Sequence, residues 1–223
     1  MSNFKTAESV SPKHPDKLCD QISDAILDAY LRDDPLSRVA VEAVGGHGKV
    51  FVVGEVTSTT EVDVAKIVKR LCGNVELETR IVQQSPEIAQ GVDTGGAGDQ
   101  GIMVGYACSQ TPELLPLETV LARRLNQYLY KIWPFDGKTQ VTLKDGKIVS
   151  VVASFQNAPQ KDLKESVLNW LSSQSGVKVV GNVDTHINPA GDWDLGGFDA
   201  DTGLTGRKLV VDNYGPSIPI GGG

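Results

Sequence analysis

The order of hydrophobic periodicities along the chain constrains its fold more than any other feature. Apolar residues at helical spacing follow His14 and stop near the sequence DDP at 33–35. Two alternating segments come next, 38–44 and 49–57, which the Gly-rich sequence GGHG joins as a hairpin. A second helical pattern and another alternating segment follow. The same order returns between residues 117 and 187, although the residues themselves are not similar. The repeat predicts an α+β protein with two similar two-layer units, each a mixed sheet with helices on one face.

Segments outside this repeat suggest where the units end. Residues 83–101 are polar and Gly-rich without an apolar period, which predicts a long functional loop. Strands are expected over 102–107 and 208–212, and the second has no neighbour in sequence with which to pair. The predicted divisions are an N-terminal unit at 1–88, a loop at 89–101, a central unit at 102–194 and the start of a C-terminal unit at 195–223.

Composition excludes several classes of protein. The chain has 223 residues, 40% of them hydrophobic, and no run of about 20 apolar residues that would span a membrane. The N-terminus lacks the apolar centre of a signal peptide, so a cytoplasmic location is expected. A net charge of −7 argues against a broad nucleic-acid-binding surface. Three cysteines without C-x-x-C spacing predict neither a disulfide framework nor a zinc site.

An anion site is one interpretation of the start of the first helix. Pro15 suits the first helical position, so the free N–H groups of the turn point outward beside His14 and Lys17. Asp16 would repel a phosphate unless a divalent cation bridges the two. These residues therefore fit a metal-bound polyphosphate. They also fit a structural role, in which Asp16 complements the helix dipole and His14 caps the helix.

Other polar motifs are weak when each is taken alone. The sequence GAGDQG at 96–101 satisfies G-x-G-x-x-G, but a polar loop precedes it and a β-like segment follows, which is not the context of a dinucleotide site. The sequence GLTGRK at 203–208 combines glycines with Arg207 and Lys208 and could approach oxygen anions. Asp136 and Lys138 occur together at the start of a predicted strand.

Taken in order, these motifs resemble the S-adenosylmethionine synthetase (methionine adenosyltransferase) family over nearly the whole chain. The matching segments are ESVSPKHPDKLCDQISDAILD, VEAV followed by GEVTS, QQSPEIAQGVD, GAGDQGIMVGYA, KTQVT and DTGLTGRKLVVDNYG. The resemblance implies synthesis of S-adenosylmethionine from ATP and L-methionine, with the triphosphate displaced from C5′ and then hydrolysed to pyrophosphate and phosphate. Such a reaction needs cations where charge grows on the leaving group.

The resemblance also implies roles for the basic residues. His14 would lie near the oxygen that bridges C5′ and the triphosphate, and it would act in catalysis together with Lys138 and Arg207. Contacts with the polyphosphate would come from His14, Lys17, Lys138, Arg207 and Lys208.

Metal ions and the nucleotide are assigned to other residues by the same resemblance. Asp16 would bind Mg²⁺ and Glu42 would bind K⁺. Asp136 resembles the acidic residue near the nucleotide. Trp193 falls where members of the family usually offer Phe for adenine to stack on, and it keeps an aromatic face.

Methionine would be bound by Glu55, Gln84 and Asp99, with Asp201 near both methionine and the ribose. Carboxylates suit this half of the site because the sulfonium product is cationic. In the family the active sites form between subunits, with the Glu55 side supplied by the neighbour of the His14 side. The resemblance thus implies a homodimer or a dimer of dimers, with sheets packed face to face.

Two differences from the family pattern bear on activity. The loop between QGVD and GAGDQG, which gates the site in the family, is shorter than in bacterial relatives, and the sequence stops at IGGG, where the family continues with further Lys and Asp ligands. Either the chain is a fragment or a short synthetase fills the gap differently. The alternative functions are a catalytically silent homologue acting as a partner subunit and another metal-nucleotide phosphotransferase. The presence of His14, Asp16, Lys138, Arg207 and Asp99 favours the synthetase.

Overall fold

A computed structural model describes residues 3–221 and contains two compact units. The N-terminal unit comprises residues 15–103, 198–207 and 221, and the central unit comprises residues 3–14, 104–197 and 208–220. The strands are β1 (Phe4–Val10), β2 (Arg38–Gly46), β3 (Lys49–Thr57), β4 (Glu76–Val82), β5 (Gly137–Lys144), β6 (Lys147–Phe155), β7 (Lys178–Ile187) and β8 (Gly203–Leu204). The α-helices are α1 (Pro15–Asp33), α2 (Val64–Cys72), α3 (Pro86–Asp93), α4 (Leu117–Ile132), α5 (Gln160–Ser172) and α6 (Leu209–Asp212).

The N-terminal unit contains a four-stranded mixed sheet in the order β4-β3-β2-β8. The pair β2 and β3 is antiparallel, β4 runs parallel to β3, and β8 is antiparallel to β2. Leu18, Ile22 and Ile26 repeat at intervals of one helical turn on α1, and they are buried with Val50 and Val52 of β3. Each such side chain contributes about 1.5–3 kcal/mol when it is fully buried. This apolar stripe therefore fixes which face of α1 meets the sheet.

The central unit repeats this arrangement with a sheet in the order β1-β5-β6-β7. The pair β5 and β6 is antiparallel, and β7 runs parallel to β6 after the crossover through α5. Leu121, Leu125 and Leu129 form the buried stripe of α4 and pack with Ile148 and Val151 of β6. β1, β6 and β7 finish, and β5 begins, at the same end of the sheet. Several candidate site residues lie at this end of the sheet.

The predicted α+β class is confirmed, because both units follow the order helix, hairpin, helix and parallel strand. Each sheet also gains an edge strand from a distant part of the chain. β1 pairs with β5 in the central unit, and β8 pairs with β2 in the N-terminal unit. The sequence divisions at 88, 101 and 194 remain predictions.

Three local predictions are wrong. The segment 83–101 is not wholly a loop, because Ser85 caps α3 by accepting a hydrogen bond from the Ile88 N–H at 3.4 Å. No strand forms over 102–107, where Met103 is 87% exposed. The segment 208–212 forms α6 rather than a strand.

The last of these differences has a clear cause. A strand over 208–212 would need a partner strand, whereas the turn of α6 bonds the Asp212 and Asn213 N–H groups to the carbonyls of Lys208 and Leu209. The Arg123 guanidinium on α4 donates hydrogen bonds to the carbonyls of Val211 and Asn213, both at 2.6 Å. A cation at the C-terminal end of a helix complements the helix dipole.

Within residues 3–221, no helix is long and apolar enough to cross a bilayer. The three cysteines are free thiols, with Cys19 buried and Cys72 and Cys108 partly buried.

Candidate active site

In the N-terminal unit, the GLTGRK segment docks on the first two turns of α1. Asp16, which is 2% exposed, accepts a hydrogen bond from the Leu204 N–H at 3.0 Å. Asp20 lies one turn further along the same face and accepts from the Gly206 N–H at 2.9 Å. Two carboxylates of one helix thereby hold the turn that leads into Arg207.

Close backbone contact makes this docking possible. A Cβ atom on Gly203 would lie 2.2 Å from the carbonyl carbon of Pro15, so no side chain fits at this position. On the other side, Thr205 is bonded to β2: its N–H donates to the Ala43 carbonyl at 3.0 Å, and its hydroxyl oxygen accepts from the Ala43 N–H at 2.8 Å. The segment is therefore fixed between α1 and β2.

Two cations belong to this docked region. Lys17 Nζ lies 3.0 Å from Asp20 Oδ2, and the Lys17 side chain is 25% exposed. Arg207 is exposed and directly follows Gly206, which has a φ of 75°. The structure thus brings together Asp16, Lys17 and the segment that carries Arg207, at the N-terminal end of a helix where anions are favoured.

In the central unit, a second group of predicted residues lies at the end of the sheet where β1 finishes. The Ser11 N–H donates to the Gly137 carbonyl at 2.8 Å, and the His14 N–H donates to the Ser11 carbonyl at 3.1 Å. His14 is 4% exposed. Because Val10 pairs in register with Lys138, the turn that carries His14 lies beside the start of β5, where Asp136 and Lys138 are found.

Asp136 is also bonded to the loop that carries Trp193. Its Oδ2 atom accepts from the Gly197 N–H at 3.1 Å. Gln156 joins the same parts, because its amide oxygen accepts from the Asp136 N–H at 3.3 Å and its amide nitrogen donates to the Asp194 carbonyl at 2.8 Å. These bonds fix the loop 193–197 against the ends of β5 and β6.

Trp193 is half-buried and oriented by a neighbour of Lys138. Its indole Nε1–H donates to Ser154 Oγ at 3.1 Å, and Ser154 pairs in register with Lys138 across β5 and β6. The ring borders a cleft of about 360 Å³ that Asn157 and Asp192 also line. An aromatic ring beside an open cleft can stack on a nucleobase. Lys208, at the start of α6, is partly buried in this unit.

Of the predicted methionine residues, Glu55 and Gln84 do not join the polyphosphate residues of the N-terminal unit. Glu55 pairs with Val82 at the end of the sheet where β3 and β4 finish, and Gln84 follows directly. The β2–β3 hairpin, where Asp201 lies against Gly46, is at the other end. Glu55 is six residues from the start of β3, which at about 3.3 Å per residue is about 20 Å.

Asp99 and Glu42 are also isolated in the N-terminal unit. Asp99 is exposed in the loop after α3, and its Oδ1 accepts from the Gln100 N–H at 2.7 Å. Glu42 lies on the exposed face of β2, opposite Val53. The part of the chain that the structure describes holds no group of three or more His, Cys, Asp or Glu side chains placed to bind a metal ion.

Mg²⁺ in nucleotide sites commonly has only one or two carboxylate ligands, and phosphate oxygens and water complete its shell. Asp16 fits this pattern, since it is a carboxylate at a helix N-terminus next to Lys17. Glu42 presents a single exposed carboxylate on β2, so a bound K⁺ would need further oxygen ligands.

Sequence reasoning missed Asp20, Ser154 and Gln156. Asp20 follows Asp16 at i+4 on a predicted helix, so their shared face could have been noticed. No local signal marks Ser154 or Gln156, because their partners lie between 20 and 39 residues away in the chain.

Comparison with known proteins identifies the family. Three models of the S-adenosylmethionine synthetase family match in succession: the N-terminal domain over residues 2–92, the central domain over 94–193 and the C-terminal domain over 195–223. An S-adenosylmethionine synthase of Treponema denticola is 41% identical over 264 residues, an alignment that covers 99% of this chain and 68% of the relative. The chain belongs to the S-adenosylmethionine synthetase family.

Other relatives in this family give the same picture. The S-adenosylmethionine synthase of Corynebacterium efficiens is 41% identical, with 98% of this chain and 66% of the relative aligned. That of Prochlorococcus marinus is also 41% identical, with 100% and 68% aligned. The chain therefore spans about two thirds of the length of these curated synthases. Since the alignments run over more positions than the 223 residues of the chain, the relatives also carry internal segments that it lacks.

Proposed function

We propose that the chain transfers the adenosyl group of ATP to the sulfur of L-methionine, giving S-adenosylmethionine with release of pyrophosphate and phosphate. The observation that carries this proposal is the docked GLTGRK segment, in which Asp16 and Asp20 hold the turn before Arg207 beside Lys17 at the start of α1. Family membership supplies the reaction, and this geometry suits the polyanion that the reaction expels.

The chemistry requires stabilisation of a leaving group. A lone pair of the methionine sulfur forms a bond to C5′, the C5′–O bond breaks, and its electrons pass to the triphosphate. Negative charge thus grows on the bridging oxygen while sulfur becomes cationic. Donors already fixed in position stabilise that charge without reorganising during the reaction. We assign the imidazole of His14 to the bridging oxygen.

Four further cations are proposed to hold the triphosphate and its hydrolysis products. They are Lys17, Lys138, Arg207 and Lys208. Arginine can bind two phosphate oxygens at once through its planar fork, whereas lysine acts as a point charge. Lys138 and Arg207 are both exposed and so available to a ligand. We count them with His14 as the catalytic residues.

The nucleoside is proposed to lie at the end of the central unit's sheet where β1, β6 and β7 finish. Trp193 would stack on adenine, with its ring fixed by Ser154, and Asp136 would lie near the nucleotide. In the N-terminal unit, Asp201 is proposed to contact methionine and the ribose. Mg²⁺ bound through Asp16 and phosphate oxygens would neutralise part of the triphosphate charge. Binding of K⁺ through Glu42 is also proposed, although no step depends on it.

The methionine residues motivate a proposal of a homodimer. Glu55 and Gln84 lie at the opposite end of their sheet from Asp201 and the GLTGRK segment. In a twofold assembly the Glu55, Gln84 and Asp99 side of one subunit would serve the other subunit's site. A dimer of dimers is compatible with this arrangement.

The exposed face of the N-terminal sheet offers a surface for such a dimer. Phe51, Val53, Val82 and Leu204 share this face and are between 36% and 45% exposed. Apolar side chains that occupy one face of a sheet commonly mark a site of protein association.

A direct assay tests the proposed function. The chain is incubated with ATP, methionine, Mg²⁺ and K⁺, and S-adenosylmethionine is measured together with released phosphate and pyrophosphate. We expect one phosphate and one pyrophosphate for each sulfonium formed. Phosphate release that does not depend on methionine would instead indicate another metal-nucleotide phosphotransferase.

A further inference from the structure

We propose that Asp20 is a positioning residue for the polyphosphate, because its carboxylate holds both Lys17 and the backbone that carries Arg207. The inference rests on the proposed function and adds a residue that no phosphate motif contains. Asp20 itself would repel a phosphate, so its value to the site must come through the cations that it holds.

The geometry of the carboxylate carries the inference. Oδ2 lies 3.0 Å from Lys17 Nζ, and Oδ1 accepts from the Gly206 N–H at 2.9 Å. The Asp20 side chain is only 13% exposed. The hydrogen bond from the Gly206 N–H is charge-assisted, and such bonds are shorter and stronger than bonds between neutral groups. One partly buried carboxylate thus connects two segments that are far apart in the sequence.

The contact with Gly206 fixes the direction in which the chain enters Arg207. Gly206 has a φ of 75°, which places this turn in the left-handed region that favours glycine. The preceding residues are held by Asp16, which bonds Leu204, and by Ala43, which bonds Thr205. The hydrogen bond from Gly206 to Asp20 is therefore the last of these contacts that fix the backbone before Arg207.

The contact with Lys17 restricts a flexible side chain. A free lysine side chain loses conformational entropy when it is immobilised. The ion pair with Asp20 restricts the ammonium before any phosphate arrives, which lowers the cost of ordering it during binding.

Variants at Asp20 separate its two contacts. Asp20→Asn retains an oxygen that can accept from Gly206 but loses the ion pair with Lys17, whereas Asp20→Ala loses both contacts. We expect the affinity for inorganic tripolyphosphate, measured calorimetrically in the presence of Mg²⁺, to fall about tenfold in Asp20→Asn and further in Asp20→Ala. If Asp20 were only an unfavourable charge, Asp20→Asn would bind more tightly, and the inference would be overturned.

A double-mutant cycle with Lys17→Met distinguishes positioning from a general structural effect. If Asp20 acts through Lys17, Asp20→Asn loses most of its effect in the Lys17→Met background, while Asp20→Ala still weakens binding through Gly206. Additive effects of Asp20→Asn and Lys17→Met overturn the inference. Asp28→Asn is the matched control, since it removes the same charge from an exposed position about 12 Å further along α1. It is expected to change the affinity by less than about twofold.

Tripolyphosphate binding also keeps the two proposals distinguishable. A chain that binds tripolyphosphate with the expected dependence on Asp20 but forms no S-adenosylmethionine would overturn the proposed function alone. A chain that forms the product while Asp20→Asn binds tripolyphosphate normally would overturn the role of Asp20 alone. Absence of tripolyphosphate binding by the unaltered chain would overturn both.

Discussion

At the scale of single residues, the buried thiol of Cys19 illustrates how environment sets chemistry. Cys19 on α1 is fully buried, and this burial raises its pKa from 9.0 to about 12, although a hydrogen bond with the Gly45 backbone acts in the opposite direction. The negative charges of Asp16 and Asp20 also raise the pKa. The thiol is thus neutral at physiological pH and shielded from reagents.

The raised pKa of Cys19 predicts a loss of stability at high pH. Unfolded chains release this proton near pH 9.0, whereas the folded chain holds it until about pH 12. The contribution is fully present below pH 9.0 and is lost as the pH rises towards 12. Urea unfolding of the unaltered chain and of Cys19→Ala should therefore show a shallower alkaline decline in the variant. Equal slopes in this range would show that burial does not perturb the thiol.

Glu118 on α4 is a buried carboxylate that we expect to destabilise the fold. It is 1% exposed, and neither carboxylate oxygen has a hydrogen-bond partner among residues 3–221. Its place in the first turn of α4 offsets only about 0.3–1 kcal/mol of the cost of burying a carboxyl group without a hydrogen-bond partner. We predict that Glu118→Leu raises the free energy of unfolding by about 1–3 kcal/mol, measured by urea denaturation.

A matched control for Glu118 is Glu113, whose exposed carboxylate pairs with Arg124. Glu113→Gln should lower stability by no more than about 1 kcal/mol, since surface ion pairs contribute little. If Glu118→Leu proves less stable than the unaltered chain, the Glu118 carboxylate must have a partner in solution.

Substitutions of Trp193 test nucleotide binding separately from methionine binding. Loss of a base-stacking side chain costs about 1–3 kcal/mol for each base, so Trp193→Ala should raise the KM for ATP about tenfold or more. Trp193→Phe keeps an aromatic face and should stay within about threefold of the unaltered chain. The KM for methionine should not change in either variant. An equal rise in both KM values would place Trp193 outside the adenine site.

At the scale of secondary-structure elements, the docking of β8 on α1 depends on Gly203. Because an added Cβ would lie 2.2 Å from the Pro15 carbonyl carbon, Gly203→Ala must move the GLTGRK segment away from the first turn of α1. We predict an affinity for tripolyphosphate lower by about tenfold or more, measured calorimetrically with Mg²⁺. Gly105→Ala is the control, since nothing lies within 4 Å of the added carbon. Normal binding by Gly203→Ala would separate this docking from the phosphate site.

The elements that the sequence predicts well are those with strong local patterns. The stripe of Leu18, Ile22 and Ile26 predicts α1 because its period matches one helical turn. β1 was missed because its buried residues include small Ala7 and polar Ser9, and because its partner β5 lies about 130 residues later. Local periodicity carries no information about such a distant partner.

The candidate site shows the same division. The motifs that resemble the family predict His14, Asp16, Lys138 and Arg207 as site residues. The backbone contacts that orient these residues are visible only in the folded chain. The strand predicted over 208–212 is also wrong, because a short apolar run cannot distinguish a strand from a short helix such as α6, which Arg123 of α4 contacts at its C-terminal end.

At the scale of the whole molecule, the proposed dimer depends on the exposed face of the N-terminal sheet. Val53 lies at the centre of this face and is 43% exposed. Val53→Glu would add a second carboxylate opposite Glu42 and should disfavour burial of the face. Sedimentation equilibrium should then show a monomer, whereas the unaltered chain should sediment as a dimer or larger species.

Leu36 provides the control for this assembly prediction, because it is 88% exposed but lies after α1 and outside the sheet. Leu36→Glu should sediment as the unaltered chain does. A dimer that survives Val53→Glu would show that a different surface joins the subunits.

The central claim is that this chain joins the sulfur of methionine to C5′ of ATP while its basic residues hold the departing triphosphate. The most direct measurement follows isotope-labelled methionine by mass spectrometry in the presence of ATP, Mg²⁺ and K⁺, for the unaltered chain and for His14→Ala. We predict labelled S-adenosylmethionine from the unaltered chain and a rate at least about 100-fold lower from His14→Ala. Equal rates from both chains, or ATP consumption without labelled product, would contradict the claim.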